Sequence, residues 1–229
     1  MASIAKREQT FTARRQDLVQ GTIRSIAALG YADSTVQTIC EAANVSRGLI
    51  GHYFAGKDAL LLEAFRHLCD KQDVEMRDAI REAGEDALER LLTATRVSFQ
   101  SAASRDTALV WLALSGVAPW NPQFTELHQT LYRRYRGWIE RMMMQAALDR
   151  GITLNARHAA LTYVQMVDGF WIGWLMDHEA YSLEEATEIV CAWLRTTFAQ
   201  LKKARSGKPP AGARHRAAAA KTSGKAVRK

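Results

Sequence analysis

The chain has 229 residues, 48% of them hydrophobic, which is enough to bury a sizeable core in one or two domains. It carries 31 Lys and Arg against 24 Asp and Glu, a formal charge of +7. Its four prolines, the lack of any run of about 18 apolar residues and a polar first stretch exclude a membrane span and a signal-peptide core, and predict an all-α cytoplasmic protein. The charge is unevenly spread. Residues 202–229 hold ten Lys and Arg and no acid, residues 1–57 carry a net +3, and the stretch between them about −6. Basic ends on an acidic body are the pattern of a chain that meets nucleic acid at its ends. Cys40, Cys69 and Cys191 are odd in number and far apart, so they fit neither a disulfide framework nor a zinc site and read as small buried hydrophobes.

Residues 1–11 are expected to form a flexible basic arm. A first helix is predicted from Thr12 to Leu29, with Val19, Ile23, Ile26 and Ala27 as its inner stripe and Gly30 as its stop. In the stretch from Thr35 to Phe54, Val36, Ile39, Cys40 and Ala43 repeat at helical spacing behind Asp33 and Ser34, which can cap the first turn. Asn44 enters the left-handed region cheaply and can redirect the chain, and Ser46 stands where a second N-cap is needed. Val45, Ile50 and Phe54 then turn inward, leaving Arg47, Gly48, Gly51, His52 and Tyr53 outside. Two readings fit: a helix-turn-helix whose second helix suits a DNA major groove, and an ordinary helical hairpin of a bundle.

A long helix is predicted from Gly56 and Lys57 to about Ala83, then helices at about 85–101, 105–117, 123–150, 155–176 and 182–203, the last opened by Ser182 and Glu185 as a capping box. In the stretch Val167-Asp-Gly-Phe-Trp-Ile-Gly-Trp174, Asp168 lies among tryptophans on a mostly apolar helix, and a buried carboxylate needs a partner. With Trp111, Trp120 and Tyr135 from other central segments, Asp168, Trp171 and Trp174 can form a box in which ring faces and a carboxylate hold a quaternary ammonium. The alternative is plain core packing. Tyr163, Val167 and Phe170 on one of the last two helices, and Ile189, Val190, Trp193 and Leu194 on the other, read as a two-fold four-helix interface or as the core of one chain. Residues 204–229 are rich in Ala, Gly, Lys and Arg and are expected to be a disordered basic tail able to hold DNA nonspecifically. No nucleotide-binding, hydrolase or metalloprotease motif is present, and no cofactor or metal is expected.

The run Asn44-Val-Ser-Arg-Gly-Leu-Ile-Gly-His-Tyr-Phe-Ala-Gly-Lys57-Asp-Ala-Leu-Leu resembles the DNA-binding signature of the tetracycline-repressor (TetR) family of bacterial regulators. The resemblance is tight over residues 12–65 and looser beyond. It implies a three-helix DNA-binding unit at residues 12–57, a helical effector-binding and dimerisation domain at 58–203, about nine helices in all, and a homodimer on a palindromic double-stranded operator. The positions that match the family's DNA contacts are Thr35, Gln37, Ser46, Arg47, Gly48, Leu49, Gly51, His52, Tyr53 and Lys57. Arg47 is the candidate for reading guanine, while Thr35, Tyr53 and Lys57 match phosphate contacts. Asn44 replaces a common glycine, and Gly51 replaces a common aromatic, so a usual contact is missing. The Gly48-x-Ile50-x-His-Tyr-Phe54 pattern, Trp111 and Asp168-Gly-x-Trp171 resemble the choline-responsive BetI branch, which implies a ligand-controlled repressor of choline and glycine betaine metabolism. Relatives with the same Asp-Gly-x-Trp pattern that govern other catabolic or efflux operons, with other effectors, are the second reading.

Overall fold

The computed structural model describes the backbone of residues 2–206 and the side chains of residues 7–199. Among these residues the chain forms helices and turns and no strand: α1 (Ala2–Asp33), α2 (Val36–Ala43), a 3-10 turn Arg47–Leu49 that runs into α3 (Ile50–Tyr53), α4 (Lys57–Glu82), α5 (Ala87–Ala102), α6 (Arg105–Val117), a second 3-10 turn Ala118–Trp120, α7 (Pro122–Asp149), α8 (Ala156–Met176) and α9 (Leu183–Ser206). Helix starts are set by local side chains. Asp86, Ser104, Asn121, Asn155 and Ser182 each accept a backbone N–H of the first turn that follows. Asp86 has a second role, since one amino group of Arg150, Nη2, at the end of α7 donates to both oxygens of its carboxylate at 3.0 and 2.9 Å.

Three apolar clusters organise the packing. Leu18, Val19, Ile39, Cys40, Ala43, Ile50 and Phe54 close α1, α2 and α3 on the start of α4. Leu91, Ile139, Met143, Tyr163, Val190, Leu194 and their neighbours fill the space between α5, α7, α8 and α9. Between these two, Ile26 of α1 and Leu61, Phe65 and Leu68 of α4 meet Val110 and Leu114 of α6 and Phe124 of α7. Buried hydroxyls are satisfied: Thr95 bonds the carbonyl of Leu91 and the Tyr163 hydroxyl, and Ser25 bonds both Ser34 and Thr38. All three cysteines are buried and unpaired.

Two expectations are corrected. Residues 2–11, read as a flexible arm, are the opening turns of α1. They hold Ala, Lys, Arg, Glu and Gln without Gly or Pro, and the Phe11 ring packs at 4.6 Å on that of Tyr53, so propensity and a tertiary contact favour the same state. Gly30 does break α1, at φ 76°, but helical turns resume to Asp33. Among the residues read as dimer interface, Tyr163, Val167, Val190 and Leu194 are buried in the chain's own core, and Phe170 and Trp193 pack half-buried against it. Of that set Ile189, 43% exposed, faces outward. Periodicity marks an apolar face; it does not say whether the same chain covers it. Of the tail read at 204–229, residues 204–206 belong to α9, and 207–229 lie outside the described residues.

α1 and α2 cross at Gly21, where an added Cβ would stand 2.8 Å from the backbone of Ala43. Gly21→Ala should therefore destabilise the protein by about 1–3 kcal/mol through overpacking, roughly a 2–10 °C fall in melting temperature. Gly116→Ala, whose Cβ would meet nothing within 4 Å, is the control and should hold or raise it. Thermal unfolding followed by circular dichroism separates the two; equal shifts would refute the tight crossing.

Candidate DNA-reading surface and effector cavity

The first site is built by short-range chemistry. α2 opens with a reciprocal cap: Thr38 N–H donates to the Thr35 hydroxyl at 3.2 Å, and Thr35 N–H donates to the Thr38 hydroxyl at 2.9 Å. Thr35 is thus the cap in place of Asp33 and Ser34; Ser34 is buried and donates to the Gly30 carbonyl at 2.7 Å. Asn44 ends α2 in the left-handed region at φ 55°, ψ 47°, and Arg24 of α1 ties the last turn through the Ala42 carbonyl at 2.6 Å. Ser46 stands at the start of the 3-10 turn without a side-chain cap. Buried Ile50 and Phe54 then fix the rotation of α3, leaving Arg47, Gly48, Gly51 and His52 exposed and Leu49 and Tyr53 half-buried.

Several side chains on this face are held in place. Gln37 is bonded to Glu41 at 2.9 Å, the rings of His52 and Tyr53 meet edge-on at 5.1 Å, and the Lys57 ammonium lies 5.1 Å from the centre of the Tyr31 ring. Arg47 is in no ion pair among the described residues. Gly48 and Gly51 have helical backbone and open space where a Cβ would stand, so nothing within the chain requires glycine at either position.

The second site is a cavity of about 330 Å³ lined by α4, α5, α6, α7 and α8 and open to solvent on one side. It brings together four of the six residues singled out in the sequence as an effector box: Trp111, Tyr135, Asp168 and Trp171. The other two lie elsewhere. Trp120 sits on the 3-10 turn between α6 and α7 and is 87% exposed, and Trp174, one turn beyond Trp171, packs half-buried against the main core. Missing from that box were Tyr132 and Trp138 on the cavity face of α7, whose helical spacing with Tyr135 was the available signal, and Asp73, Arg77, Arg134 and Arg141, which carried none.

Asp168 is enclosed by this wall. Burial raises its carboxyl to about 6, against hydrogen bonding from the Trp171 indole N–H, 3.3 Å away, and the Tyr132 hydroxyl, and the more distant charge of Arg136. Near pH 7 most molecules therefore hold an anion among aromatic rings with only neutral donors touching it, and among the described residues Asp168 forms no ion pair. The wall continues outward in rings: Tyr132 stacks on His128 at 4.2 Å, His128 lies parallel to Phe65 at 6.3 Å, and Trp111 meets Phe65 edge-on at 5.0 Å. Burial lowers the imidazole of His128 below its ordinary value. Asp70 and Asp73 on α4 pair with Arg134 on α7 at the cavity edge.

Residues 18–64 match the family described as bacterial regulatory proteins, tetR family, and residues 87–199 match the BetI-type transcriptional repressor, C-terminal. The chain is 31% identical over 180 residues to the HTH-type transcriptional regulator BetI of Proteus mirabilis, spanning 77% of this chain and 87% of that one. To BetI of Stenotrophomonas maltophilia it is 27% identical over 190 residues, with 79% and 91% covered. Among solved structures, a transcriptional regulator of Pseudomonas aeruginosa superposes with a TM-score of 0.75 at 26% identity, covering 84% of this chain and 94% of that one. A regulator of Saccharomonospora viridis in complex with choline shares the fold, with a TM-score of 0.74 at 21% identity and 80% and 96% covered.

The raised carboxyl of Asp168 sets a stability window. Its folded value, about 6, lies above the unfolded value near 3.8, so its contribution is fully present below pH 4 and is lost as the pH rises through 6. Asp168→Asn removes that loss. The melting temperature of the variant relative to the wild type should climb between pH 4 and pH 7; a difference that stays constant across this range would mean the carboxyl titrates normally.

Proposed function

This chain belongs to the TetR family of bacterial transcription regulators, with a BetI-type C-terminal domain, and from that premise we propose a cytoplasmic repressor that binds a palindromic operator as a homodimer and releases it when a choline-like quaternary ammonium fills the cavity. One observation carries the effector reading: the carboxylate of Asp168 lies among aromatic rings and forms no ion pair among the described residues, Arg136 acting on it only from a distance. A permanent cation with no N–H to donate is recognised by ring faces and a nearby anion, which this wall offers. The choline complex of a fold neighbour supports the same chemistry.

The operator reading rests on the exposed face of Arg47–Tyr53. Gly48 and Gly51, unneeded by the chain's own packing, let the backbone approach the major groove closely, while Arg47 reaches a base edge and Thr35, Tyr53 and Lys57 reach phosphates. Gln37, Ser46, Leu49 and His52 complete the contact surface. Dimerisation uses the uncovered faces of α8 and α9, where Leu161, Met176 and Ile189 are exposed.

Coupling between the sites runs through α4. A ligand against Trp111 and Tyr132 presses on Phe65, directly through Trp111 and by way of His128 from Tyr132, and Phe65 shares a cluster with Ile26 of α1. A shift of α4 then changes the separation of the two recognition helices in the dimer, so both half-sites cannot be met at once.

Gel shifts on the upstream DNA test the operator contacts. Arg47→Ala should cost about 1–3 kcal/mol and relax preference at one operator position, whereas Lys57→Ala should weaken all sequences alike and flatten the salt slope by about one unit. Indistinguishable behaviour across operator variants would overturn this division of roles. Calorimetry tests the effector. Choline should bind and its uncharged isostere 3,3-dimethylbutanol should not, with choline affinity at pH 5 about tenfold below that at pH 7 because Asp168 must be ionised. Equal affinity for both compounds would leave the rings and Asp168 as packing alone.

A further inference from the structure

The cavity has room for a ligand larger than choline. A void of about 150 Å³ holds benzene, six heavy atoms. Choline has seven, and the cavity measures about 330 Å³. An ammonium seated at Asp168 leaves roughly half the space unfilled, and that remaining space is not neutral.

Its outer end, where Arg77 and Arg141 are exposed, is set by how α4 and α7 lie together. Phe65 stacks with His128, and Asp73, further along α4, pairs with Arg134, further along α7. Residue numbers rise together on both helices, so they run side by side in the same direction. Arg77, one turn beyond Asp73, therefore comes level with the stretch of α7 from Trp138 to Arg141, and Arg77 and Arg141 both line the cavity. The nearest carboxylates, Asp70 and Asp73, pair with Arg134, and Arg77 acts on Asp73 only at longer range. Arg77 spends its Nε on the Asp73 backbone carbonyl at 3.0 Å, which leaves its terminal amino groups. Among the described residues neither Arg77 nor Arg141 is in an ion pair. Two like charges at one end of a cavity, with donor groups to spare, make a seat for an anion.

We propose that the effector is a zwitterion, a quaternary ammonium joined by a short carbon spacer to an anionic group, with the ammonium at Asp168 and the anion between Arg77 and Arg141. The proposal rests on the reading of Asp168 and its rings as an ammonium seat and adds the second end of the ligand. The spacer is short. Tyr132 reaches Asp168, and Arg141 lies further along α7, but its guanidinium bends back to within 3.6 Å of where a Gly137 Cβ would stand, so the two seats are only a few residues apart along the helix. Roughly one to three methylenes between ammonium and anion are of that reach.

Calorimetry on the full chain at pH 7 with choline, trimethylammonioacetate and 4-(trimethylammonio)butanoate tests this. One of the two zwitterions should bind at least tenfold tighter than choline. Arg77→Gln with Arg141→Gln should erase that gain and leave choline bound at least as tightly as before, which also shows that the variant folds. Asp168→Asn should weaken all three. If choline binds through Asp168 and neither zwitterion gains, or the arginine variants weaken choline equally, the anionic end is overturned and the ammonium seat stands. If none of the three binds, both fall together.

Discussion

Phe65 is fully enclosed at the point where α1, α4, α6 and α7 meet, and the two halves of the molecule depend on that contact. Its ring meets Trp111 edge-on and lies parallel to His128, and its cluster takes in Ile26 from the DNA-reading half and Val110, Leu114 and Phe124 from the other. Burying a phenylalanine stabilises by about 1.5–3 kcal/mol wherever it happens. This one does so with atoms from both halves, so the position of α4 is fixed by packing on both sides. α4 has 26 residues, about 39 Å at the usual rise, and its first turn closes the DNA-reading cluster while its later turns form a cavity wall. An interior packed as tightly as an organic crystal passes a displacement of a ring on to its neighbours. That makes one helix sufficient to join the two sites.

Against this well-satisfied background Asp168 is the exception. The buried hydroxyls of Thr22, Ser25, Ser34, Thr95 and Ser98 all have partners, and the helix starts are capped by their own sequence. Asp168 instead carries a charge into an aromatic wall with neutral donors alone, and burial pushes its carboxyl up to about 6. Folding gains nothing from that arrangement; packed hydrophobes of the same volume would be as stable or more so. Residues that violate local rules in an otherwise consistent chain tend to be the ones kept for a ligand.

How much of this was legible in the sequence depended on the range of the interactions. The helices from α4 to α9 were readable to within a few residues because Asn121, Asn155, Ser182 and the Gly84 and Gly151 breaks act over a single turn. The DNA-reading face was readable for the same reason, since Asn44, Ile50 and Phe54 determine locally which residues remain outside. The cavity was only half readable. Its walls come from five helices, and composition alone does not distinguish Trp138, which lines it, from Trp120, which faces solvent beside Pro119. Tyr163 and Val190 show the same limit: a large apolar residue on a helix face looks alike whether its own chain or a second copy covers it.

The distribution of charge completes the division of labour. The stretch between residue 57 and residue 202 carries a net charge of about −6, and its acids include Asp70, Asp73 and Asp168 around the cavity. A negative body attracts a cationic ligand and repels phosphate. Residues 1–57 carry +3 and hold the exposed face of Arg47–Tyr53. A chain charged in this way approaches DNA with its reading face forward, because any other orientation brings like charges together. The same field that draws an ammonium towards Asp168 would carry a free anion away from Arg77 and Arg141. A ligand with both charges escapes that penalty, since its ammonium offsets the field acting on its anion. The two arginines are therefore of most use to a molecule that brings its own cation with it.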